Sequence, residues 1–323
     1  MNRVIVTGGN GFIGKHLVRK LLSYKPRSLI LISNKPNNDN QFEYRKLRED
    51  VPVAFHTADI RDKELISHIF TDEKPDTCIH LAAKISVADS IKNPQETMDV
   101  NDRGTLNVLE ACHNSKVNNF VFASSAAVYG DVSQLPIRED HRLEPLSTYG
   151  TSKMLAERHV LAYNSSRKIK NIAILRIFNV YGEGQVSEAD VITKFAKRLS
   201  NGLPPVIYGN GKQTRDFISV NDVVEAILLS IRAMEERVNS KWTFSPVFNI
   251  GTGIPTTLNE LAQKMIGIFG IDVQPVYEDG KESGGIMYSY ADITKAKEFL
   301  HFVPKQGIET GLREIIGPTL LKK

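Results

Sequence analysis

The sequence has little cysteine and no long hydrophobic run. Its two cysteines, Cys78 and Cys112, form no CxxC pair, which excludes a disulfide framework. The eight histidines show no spacing typical of metal ligands. No apolar run approaches the roughly 18 residues of a membrane span, and the first residues lack the apolar middle of a signal peptide. We therefore expect a cytoplasmic protein with no membrane span and no metal centre.

An excess of one charge is also absent, because 41 Lys and Arg residues face 37 Asp and Glu residues, for a net charge of +4. So small and scattered an excess is not typical of nucleic-acid-binding proteins. With 41% hydrophobic and 24% charged residues, the whole chain is neither disordered nor a coiled coil. Its 323 residues suit two domains, or one large α/β domain with an appendage.

Short apolar segments alternate with helix-like segments along the first half of the chain. Continuous apolar strands separated by helices predict a parallel, doubly wound sheet covered on both faces, the Rossmann architecture. The predicted strands are residues 3–7, 28–33, 53–56, 76–82, 119–123 and 172–176. The predicted helices include residues 61–70, 104–114 and 152–165.

A glycine-rich turn joins the first predicted strand to the first predicted helix. Gly8, Gly11 and Gly14 have the spacing GxxGxxG. Gly8 permits the tight turn, Gly11 lets the backbone approach a pyrophosphate, and Gly14 lets helix and strand pack closely. The N–H groups at the helix start, at Phe12 and Ile13, favour phosphates. This pattern predicts a dinucleotide site.

Whether the dinucleotide is NAD or NADP depends on the residues at the ends of the next strands. An acid after the second strand binds the ribose 2′-hydroxyl of NAD and repels a 2′-phosphate. Here Ser33, Asn34 and Lys35 follow, so NADP is allowed on charge alone. Asp59, just before Ile60, can accept a hydrogen bond from the adenine amine or equally can cap the following helix.

Glycine, proline and polar loops become denser after about residue 180. This change predicts a smaller, partly discontinuous C-terminal domain, while residues 245–251 add one more strand to the main sheet. We expect the dinucleotide-binding Rossmann domain to comprise residues 1–178 and about 216–250. The smaller domain then comprises about 179–215 and 251–323.

Tyr149 and Lys153 lie four residues apart at the start of a predicted helix, which puts them on one helical face. A phenol with a pKa of about 10 is a poor base at neutral pH. An adjacent ammonium and an oxidised nicotinamide both favour the phenolate, so we expect the pKa of Tyr149 to fall. Ser125 follows a predicted strand at its carboxyl end, where such sheets place ligands. Its hydroxyl can share a proton with Tyr149, or it can cap a turn.

With these motifs the chain resembles the extended short-chain dehydrogenase/reductases. It is most similar to their nucleotide-sugar 4-epimerases, of the UDP-glucose and UDP-N-acetylglucosamine type. The resemblance covers nearly the whole chain. The matching segments are residues 7–14, 80–83, 101–105, 124–130, 149–153, 176–182, 209–220 and 249–253.

The resemblance implies roles for individual residues. It implies Tyr149 as the base, Lys153 as its electrostatic partner and Ser125 as the serine beside the sugar O4. The residues implied near the cofactor are Leu81, Ala82, Ala83 and Asn101, and those implied at the nucleotide sugar are Ser86, Asn179, Arg215 and Ser289. The guanidinium of Arg215 suits a diphosphate, although a surface ion pair with Asp216 is the alternative. Because the family's epimerases mostly hold NAD and are commonly homodimers, NAD and a dimer through residues 104–114 and 152–165 are expected.

Departures from the family pattern narrow the list of reactions that the chain is expected to catalyse. Ala126 and Ala127 stand where dehydratases carry Asp and Glu, so loss of water is not expected. This leaves C4 epimerisation of a UDP-hexose or, alternatively, NADP-dependent reduction of a nucleotide 4-keto sugar. A small residue, Ser289, at the family's gate beside the sugar 2-substituent predicts that N-acetyl sugars fit, unless a one-residue shift puts Tyr288 or Tyr290 there.

A second departure concerns the diphosphate. The family commonly has an Arg-x-Gly-Asp-like segment that contacts the pyrophosphate. This chain instead has Glu282, Ser283, Gly284 and Gly285, with Lys281 as a possible substitute.

Overall fold

The main feature of the fold is a seven-stranded parallel sheet. The computed structural model describes residues 2–35, 50–185, 190–236, 245–279 and 286–320. Numbered in chain order, the strands of this sheet are β1 (Arg3–Thr7), β2 (Ser28–Ser33), β3 (Val53–Thr57), β4 (Thr77–His80), β5 (Asn119–Ser125), β6 (Asn171–Ile177) and β10 (Val247–Ile250). Their spatial order is β10-β6-β5-β4-β1-β2-β3, and all neighbours are parallel. The predicted doubly wound sheet is confirmed.

Helices cover both faces of this sheet, because successive strand residues point to opposite sides. Val4 and Val6 pack beneath α1 (Phe12–Ser23) and α8 (Val220–Glu236). Ile5 between them packs in the opposite core. The helices of that second face are α2 (Lys63–Glu73), α5 (Gly104–Asn114) and α6 (Thr148–Ser165). The remaining helices are α3 (Val87–Lys92), α4 (Pro94–Met98), α7 (Val191–Ser200), α9 (Leu258–Phe269), α10 (Thr294–Leu300) and α11 (Ile308–Leu320).

Two small sheets follow the sixth strand of the main sheet. They are built from β7 (Asn179–Tyr181), β8 (Val206–Tyr208), β9 (Thr214–Ser219), β11 (Pro255–Thr257) and β12 (Val276–Glu278), in the orders β11-β9-β7 and β12-β8. They share a separate apolar core that includes Phe195, Phe217 and Met265. Since β10 returns to the main sheet, the further strand predicted within residues 245–251 is confirmed. The exact division into two domains stays a prediction.

Several element boundaries differ from those predicted, and two of them bear on the site. Helix α6 begins at Thr148 because the Ser147 side chain caps it, accepting a hydrogen bond from Gly150 N at 3.1 Å. Tyr149 therefore lies in the first helical turn. Strand β4 ends at His80, because its partner β1 turns away after Thr7. Among the described helices, none has the length and apolar character needed to cross a bilayer.

Asp216 on β9 ties the small sheets to the main one. It is fully buried, and its carboxylate accepts hydrogen bonds from Thr252 N (2.7 Å), Thr252 Oγ1 (2.6 Å), Gly253 N (2.9 Å) and Ala291 N (3.1 Å). The surface ion pair between Asp216 and Arg215, considered from the sequence, is therefore wrong. This carboxylate fixes the turn that follows β10 instead.

Replacing Asp216 by alanine leaves three buried N–H groups without acceptors. We expect Asp216→Ala to lower the free energy of unfolding by about 3 kcal/mol, measured by urea denaturation. The exposed Asp72 on α2 is the matched control, and Asp72→Ala should change stability by less than about 0.5 kcal/mol. Equal effects of the two substitutions would contradict the assigned role of Asp216.

Candidate active site

The glycine turn after β1 is closely packed. Gly8 has a φ of +74°, and a Cβ there would lie 2.7 Å from Ala82 N at the end of β4. A Cβ on Gly14 would lie 2.3 Å from Gly8 O. Side chains at these two positions would force the turn, the helix and the β4 edge apart.

The start of α1 is open to an anion. Gly11 at the N-cap is exposed and makes no side-chain cap hydrogen bond, so the N–H groups of Phe12 and Ile13 have no partner within the helix. These donors and the helix dipole suit a pyrophosphate. Leu81, Ala82 and Ala83 follow β4 directly beside the turn. The residues present therefore fit a bound dinucleotide.

The segment after β2 is hydrogen-bonded to the glycine turn. Asn10 Nδ2 donates to Lys35 O at 3.2 Å, and Lys35 N donates to Ser33 Oγ at 3.4 Å. Ser33 is half-buried, while Asn34 and Lys35 are exposed. The segment 33–35 thus presents a hydroxyl, an amide and an ammonium beside the predicted adenosine ribose.

The carboxylate of Asp59 is held by Arg61, which donates to it from its backbone N, Nε and Nη2 at 2.9, 3.0 and 2.7 Å. These hydrogen bonds hold the pKa of Asp59 below its usual range. The alternative that Asp59 caps the next helix is wrong, because Asp62 caps α2 by accepting from Leu65 N. Ile60, the next residue, is buried against Gly104.

The Ser125 hydroxyl lies close enough to the Tyr149 phenol to lower its pKa. Tyr149 is buried, and its backbone N donates to Ser90 Oγ at 3.2 Å, which fixes the helix start. Ser125 Oγ accepts from Ala127 N at 3.2 Å, so this serine caps the turn after β5, while its role in sharing a proton with Tyr149 stays a prediction. Burial raises the pKa of Tyr149, and the Ser125 hydroxyl opposes this. The expected fall in this pKa is therefore wrong for the polypeptide alone, since desolvation outweighs the neighbouring groups.

Lys153 is buried below the same helix turn, with 3% of its surface exposed. Its Nζ donates to Ala123 O on β5 at 2.7 Å and lies 4.9 Å from the centre of the Phe122 ring. Burial lowers its pKa to about 8, while the Glu157 carboxylate raises it. At neutral pH the ammonium form therefore predominates next to the catalytic pair.

His80, which the motif analysis gave no individual role, bridges three elements beneath this site. Its Nδ1 lies 2.6 Å from Thr7 Oγ1 and its Nε2 lies 3.0 Å from Thr105 Oγ1. Because Thr105 Oγ1 donates to Asn101 O, it accepts from Nε2–H, which fixes the neutral tautomer. Burial lowers the pKa of His80 to about 3, so the ring stays uncharged.

Asn101 lies in a π-helical turn (Asp99–Arg103), a feature frequent at functional sites. Its Oδ1 accepts from Lys84 N at 2.8 Å, and its Nδ2 donates to Lys84 O and to Ser152 Oγ, both at 2.9 Å. Ser152 Oγ in turn donates to Tyr149 O at 2.8 Å. Asn101 thus fixes the segment after β4 against the helix that carries Tyr149.

Of the four residues implied at the substrate, the structure brings Arg215 and Ser289 together, while Ser86 and Asn179 lie on other elements. Ser86 caps α3, accepting from Asp89 N at 3.1 Å. Asn179 is exposed at the start of β7. Arg215 on β9 and Ser289 come together at Thr214, whose carbonyl accepts from Arg215 Nη1 at 2.7 Å and whose hydroxyl accepts from Ser289 N at 3.3 Å.

The gate candidates differ in burial, since Ser289 is buried and Tyr288 is exposed. Lys281 and the Glu282, Ser283, Gly284 and Gly285 segment lie outside the described residues.

Gln213, which the sequence analysis missed, lies two residues before Arg215. Its Nε2 donates to Tyr208 O at 3.0 Å, but its buried Oε1 has no hydrogen-bond partner among the residues that the structure describes. An unpartnered buried acceptor at this place is typical of a ligand-binding group, and the GNGKQTRDF segment is the signal that marks it.

Together these groups form a candidate site at the carboxyl ends of β1, β4 and β5. The glycine turn has open N–H donors, Tyr149 and Ser125 have neighbouring hydroxyls, and Lys153 has a buried positive charge. This set suits removal of a hydroxyl proton with hydride transfer from the adjoining carbon. Among residues that the structure describes, no group of three or more His, Cys, Asp or Glu side chains could hold a metal ion.

Comparisons with known proteins agree with this chemistry. A model of the NAD dependent epimerase/dehydratase family matches residues 4–251. A putative UDP-glucose 4-epimerase of Methanocaldococcus jannaschii is 38% identical over 318 residues, covering 97% of each chain. The structure of the Thermus thermophilus UDP-glucose 4-epimerase complex with NAD is 32% identical, has a TM-score of 0.83 and covers 98% of each chain.

A further solved structure is similar over its whole length. It is a UDP-N-acetylglucosamine 4-epimerase from Methanobrevibacter ruminantium in complex with UDP-N-acetylmuramic acid, 30% identical, with a TM-score of 0.86. The similarity extends over 100% of this chain and 99% of the Methanobrevibacter ruminantium chain. From the glycine turn, the parallel sheet and these similarities we conclude that the chain belongs to the NAD-dependent epimerase/dehydratase family of extended short-chain dehydrogenase/reductases, with NAD as its cofactor.

Proposed function

We propose that this protein epimerises UDP-hexoses at C4, with UDP-Glc/UDP-Gal and UDP-GlcNAc/UDP-GalNAc as its substrate pairs. The observation that carries the proposal is the placement of the buried Tyr149 beside the Ser125 hydroxyl and one helical turn before the buried ammonium of Lys153. The named activities of the similar proteins support the same reaction.

In this mechanism the sugar 4-hydroxyl lies at Ser125, and its proton passes through the Ser125 hydroxyl to the phenolate of Tyr149. Gly8, Gly11 and Gly14 would hold NAD, which would supply the acceptor for the C4 hydride. Burial alone favours the neutral phenol of Tyr149. The Lys153 ammonium, together with the positive charge of a bound nicotinamide, would have to offset that desolvation for the phenolate to form.

Epimerisation then needs only a turn of the 4-keto sugar inside the site. Arg215 and Asn179 hold the diphosphate while the sugar ring presents its other face, and the hydride and proton return. No acid or base for loss of water is present at Ala126 and Ala127. The reaction is redox-neutral, and its rate depends as much on holding the sugar in place as on the base.

The competing function is NADP-dependent reduction of a nucleotide 4-keto sugar. It is favoured by one observation, the absence of an acid among Ser33, Asn34 and Lys35. Incubation of the purified protein with UDP-Glc, UDP-GlcNAc and their galacto partners, without added cofactor, separates the two functions. An epimerase interconverts each pair, whereas a reductase leaves them unchanged and consumes added NADPH with a 4-keto sugar.

The assembly and location belong to the same proposal. We place the NAD-binding part in residues 1–178 and about 216–250 and the sugar-binding part in the remainder. We also propose a cytoplasmic homodimer joined through α5 and α6, since the family resemblance favours that helix pair.

The first prediction concerns the base. Tyr149→Phe keeps the ring but removes the phenol oxygen, so we expect kcat to fall by about 100-fold or more. NAD content, measured after denaturation of the purified protein, should be unchanged. The exposed Tyr24→Phe is the matched control and should be fully active. A Tyr149→Phe variant with normal kcat would refute the assignment.

The second prediction concerns the gate. Ser289→Tyr adds a large ring beside Arg215, so we expect turnover of UDP-GlcNAc and UDP-GalNAc to fall at least about 10-fold relative to UDP-Glc and UDP-Gal. Tyr288→Ser is made in parallel, because a shifted alignment would place Tyr288 at the gate. Selectivity that changes in Tyr288→Ser and not in Ser289→Tyr would move the gate to Tyr288.

A further inference from the structure

A buried ion pair lies one helical turn after Lys153, and the mechanism above makes no use of it. Glu157 on α6 and Arg176 on β6 have side chains that are 1% and 5% exposed. Arg176 Nη2 and Nε donate to Glu157 Oε2 at 2.7 and 3.2 Å, and Nε also donates to Oε1 at 3.0 Å. Removing two charges from water costs several kcal/mol per ion, so stability alone does not explain the pair.

The same carboxylate reaches the catalytic residues on two sides. Glu157 follows Lys153 by four residues, which stacks the two on one helical face. Glu157 Oε1 also accepts from Ser124 Oγ at 2.5 Å, and Ser124 directly precedes Ser125. One carboxylate therefore faces the buried ammonium and holds the strand end that presents the serine.

Arg176 is fixed by further contacts. Its Nη1 donates to the Tyr129 hydroxyl and to Glu139 O, both at 3.0 Å. The Tyr129 hydroxyl donates to Asn249 Oδ1 at 2.6 Å. These bonds anchor the guanidinium to the segment after β5 and, through Tyr129, to β10, so that Arg176 holds the Glu157 carboxylate in a fixed position.

The titratable groups around Lys153 come from three elements. Tyr149 and Glu157 lie on its own helix, His80 lies on β4 and Arg176 on β6. The His80 ring is neutral, since burial lowers its pKa to about 3. Beyond Arg176 lie Glu139 and Lys295, which face one another. Within this set Glu157 is the acid next to the lysine.

We propose that Glu157 is a positioning residue that keeps the Lys153 ammonium charged and holds the Ser124–Ser125 strand end in line with Tyr149. This role rests on the proposed function, in which Lys153 acts as a cation. The direction of its pH effect follows from the charges. The Glu157 carboxylate favours the Lys153 ammonium, so removing the carboxylate lowers the pH at which Lys153 loses its proton. The alkaline limb of the activity profile then moves to lower pH.

The test uses the NAD-loaded protein with Glu157→Gln, which removes the charge and keeps the shape. We expect the alkaline limb of the kcat profile to move to lower pH by roughly half a unit or more, with little change in KM. The Lys153 titration, followed by NMR on protein labelled with ¹³Cε-lysine and assigned with Lys153→Met, should shift in the same direction. Glu157→Asp keeps the carboxylate, so its alkaline limb and Lys153 titration should lie between those of Glu157→Gln and the wild type.

Two further variants make the test specific. Glu236→Gln removes a surface carboxylate that pairs with Arg232, and it should leave both readouts unchanged. Since Glu157→Gln leaves Arg176 charged in the core, the double variant Glu157→Gln/Arg176→Gln removes both charges. It should show an alkaline shift in the same direction but a smaller one, because loss of the Arg176 cation offsets part of the loss of the carboxylate.

The proposal is overturned if a folded variant loses thermal stability but keeps the wild-type alkaline limb and Lys153 titration. Misfolding of both Glu157 variants would also overturn it, by making the pair a requirement for folding. Failure of the proposed function is a separate result. In that case the wild type does not interconvert UDP-sugars, while the NMR titration still reports whether Glu157 keeps Lys153 charged.

Discussion

The buried ammonium of Lys153 is the constraint around which this site is arranged. A cation in a protein interior is costly unless carbonyls and carboxylates surround it. Here Ala123 O accepts directly from Nζ, the Phe122 ring lies beside it, and Glu157 follows one turn later. The same low-dielectric surroundings that raise the pKa of Tyr149 make the attraction between an ammonium and a phenolate stronger than it would be in water.

The sheet topology explains why these groups meet the cofactor. The chain leaves β1 through the glycine turn and enters β4 beside it, so the carboxyl ends of both strands border one crevice. His80 and Asn101 link this edge to the catalytic helix without carrying charge themselves. The neutral His80 ring adds no positive charge beside Lys153 at neutral pH.

Much of this could be predicted from the sequence because local patterns dictate it. The apolar runs gave β1 and β2 with their observed ends, and α5 was predicted at its observed bounds. The glycine spacing predicted positions where a Cβ has no room, at Gly8 and Gly14. The four-residue spacing of Tyr149 and Lys153 predicted one helical face. Contacts between distant segments could not be predicted in this way, and Asp216 shows it. The turn at Thr252 occupies the Asp216 carboxylate in a way that no periodicity indicates. For Asp59 the contact is local, but the sequence left two alternatives open and did not indicate the ion pair with Arg61.

The sequence by itself determined the order of strands and helices, the glycine turn and the candidate reactive side chains Ser125, Tyr149 and Lys153, since each depends on neighbours within a few residues. Only the tertiary structure decided the protonation preferences. The burial that raises the pKa of Tyr149 and lowers that of Lys153 comes from strands and helices far apart in the chain. The Glu157–Arg176 pair beneath them likewise forms only when α6 packs on β6. Desolvation is a property of the packed interior, and residue order alone does not specify it.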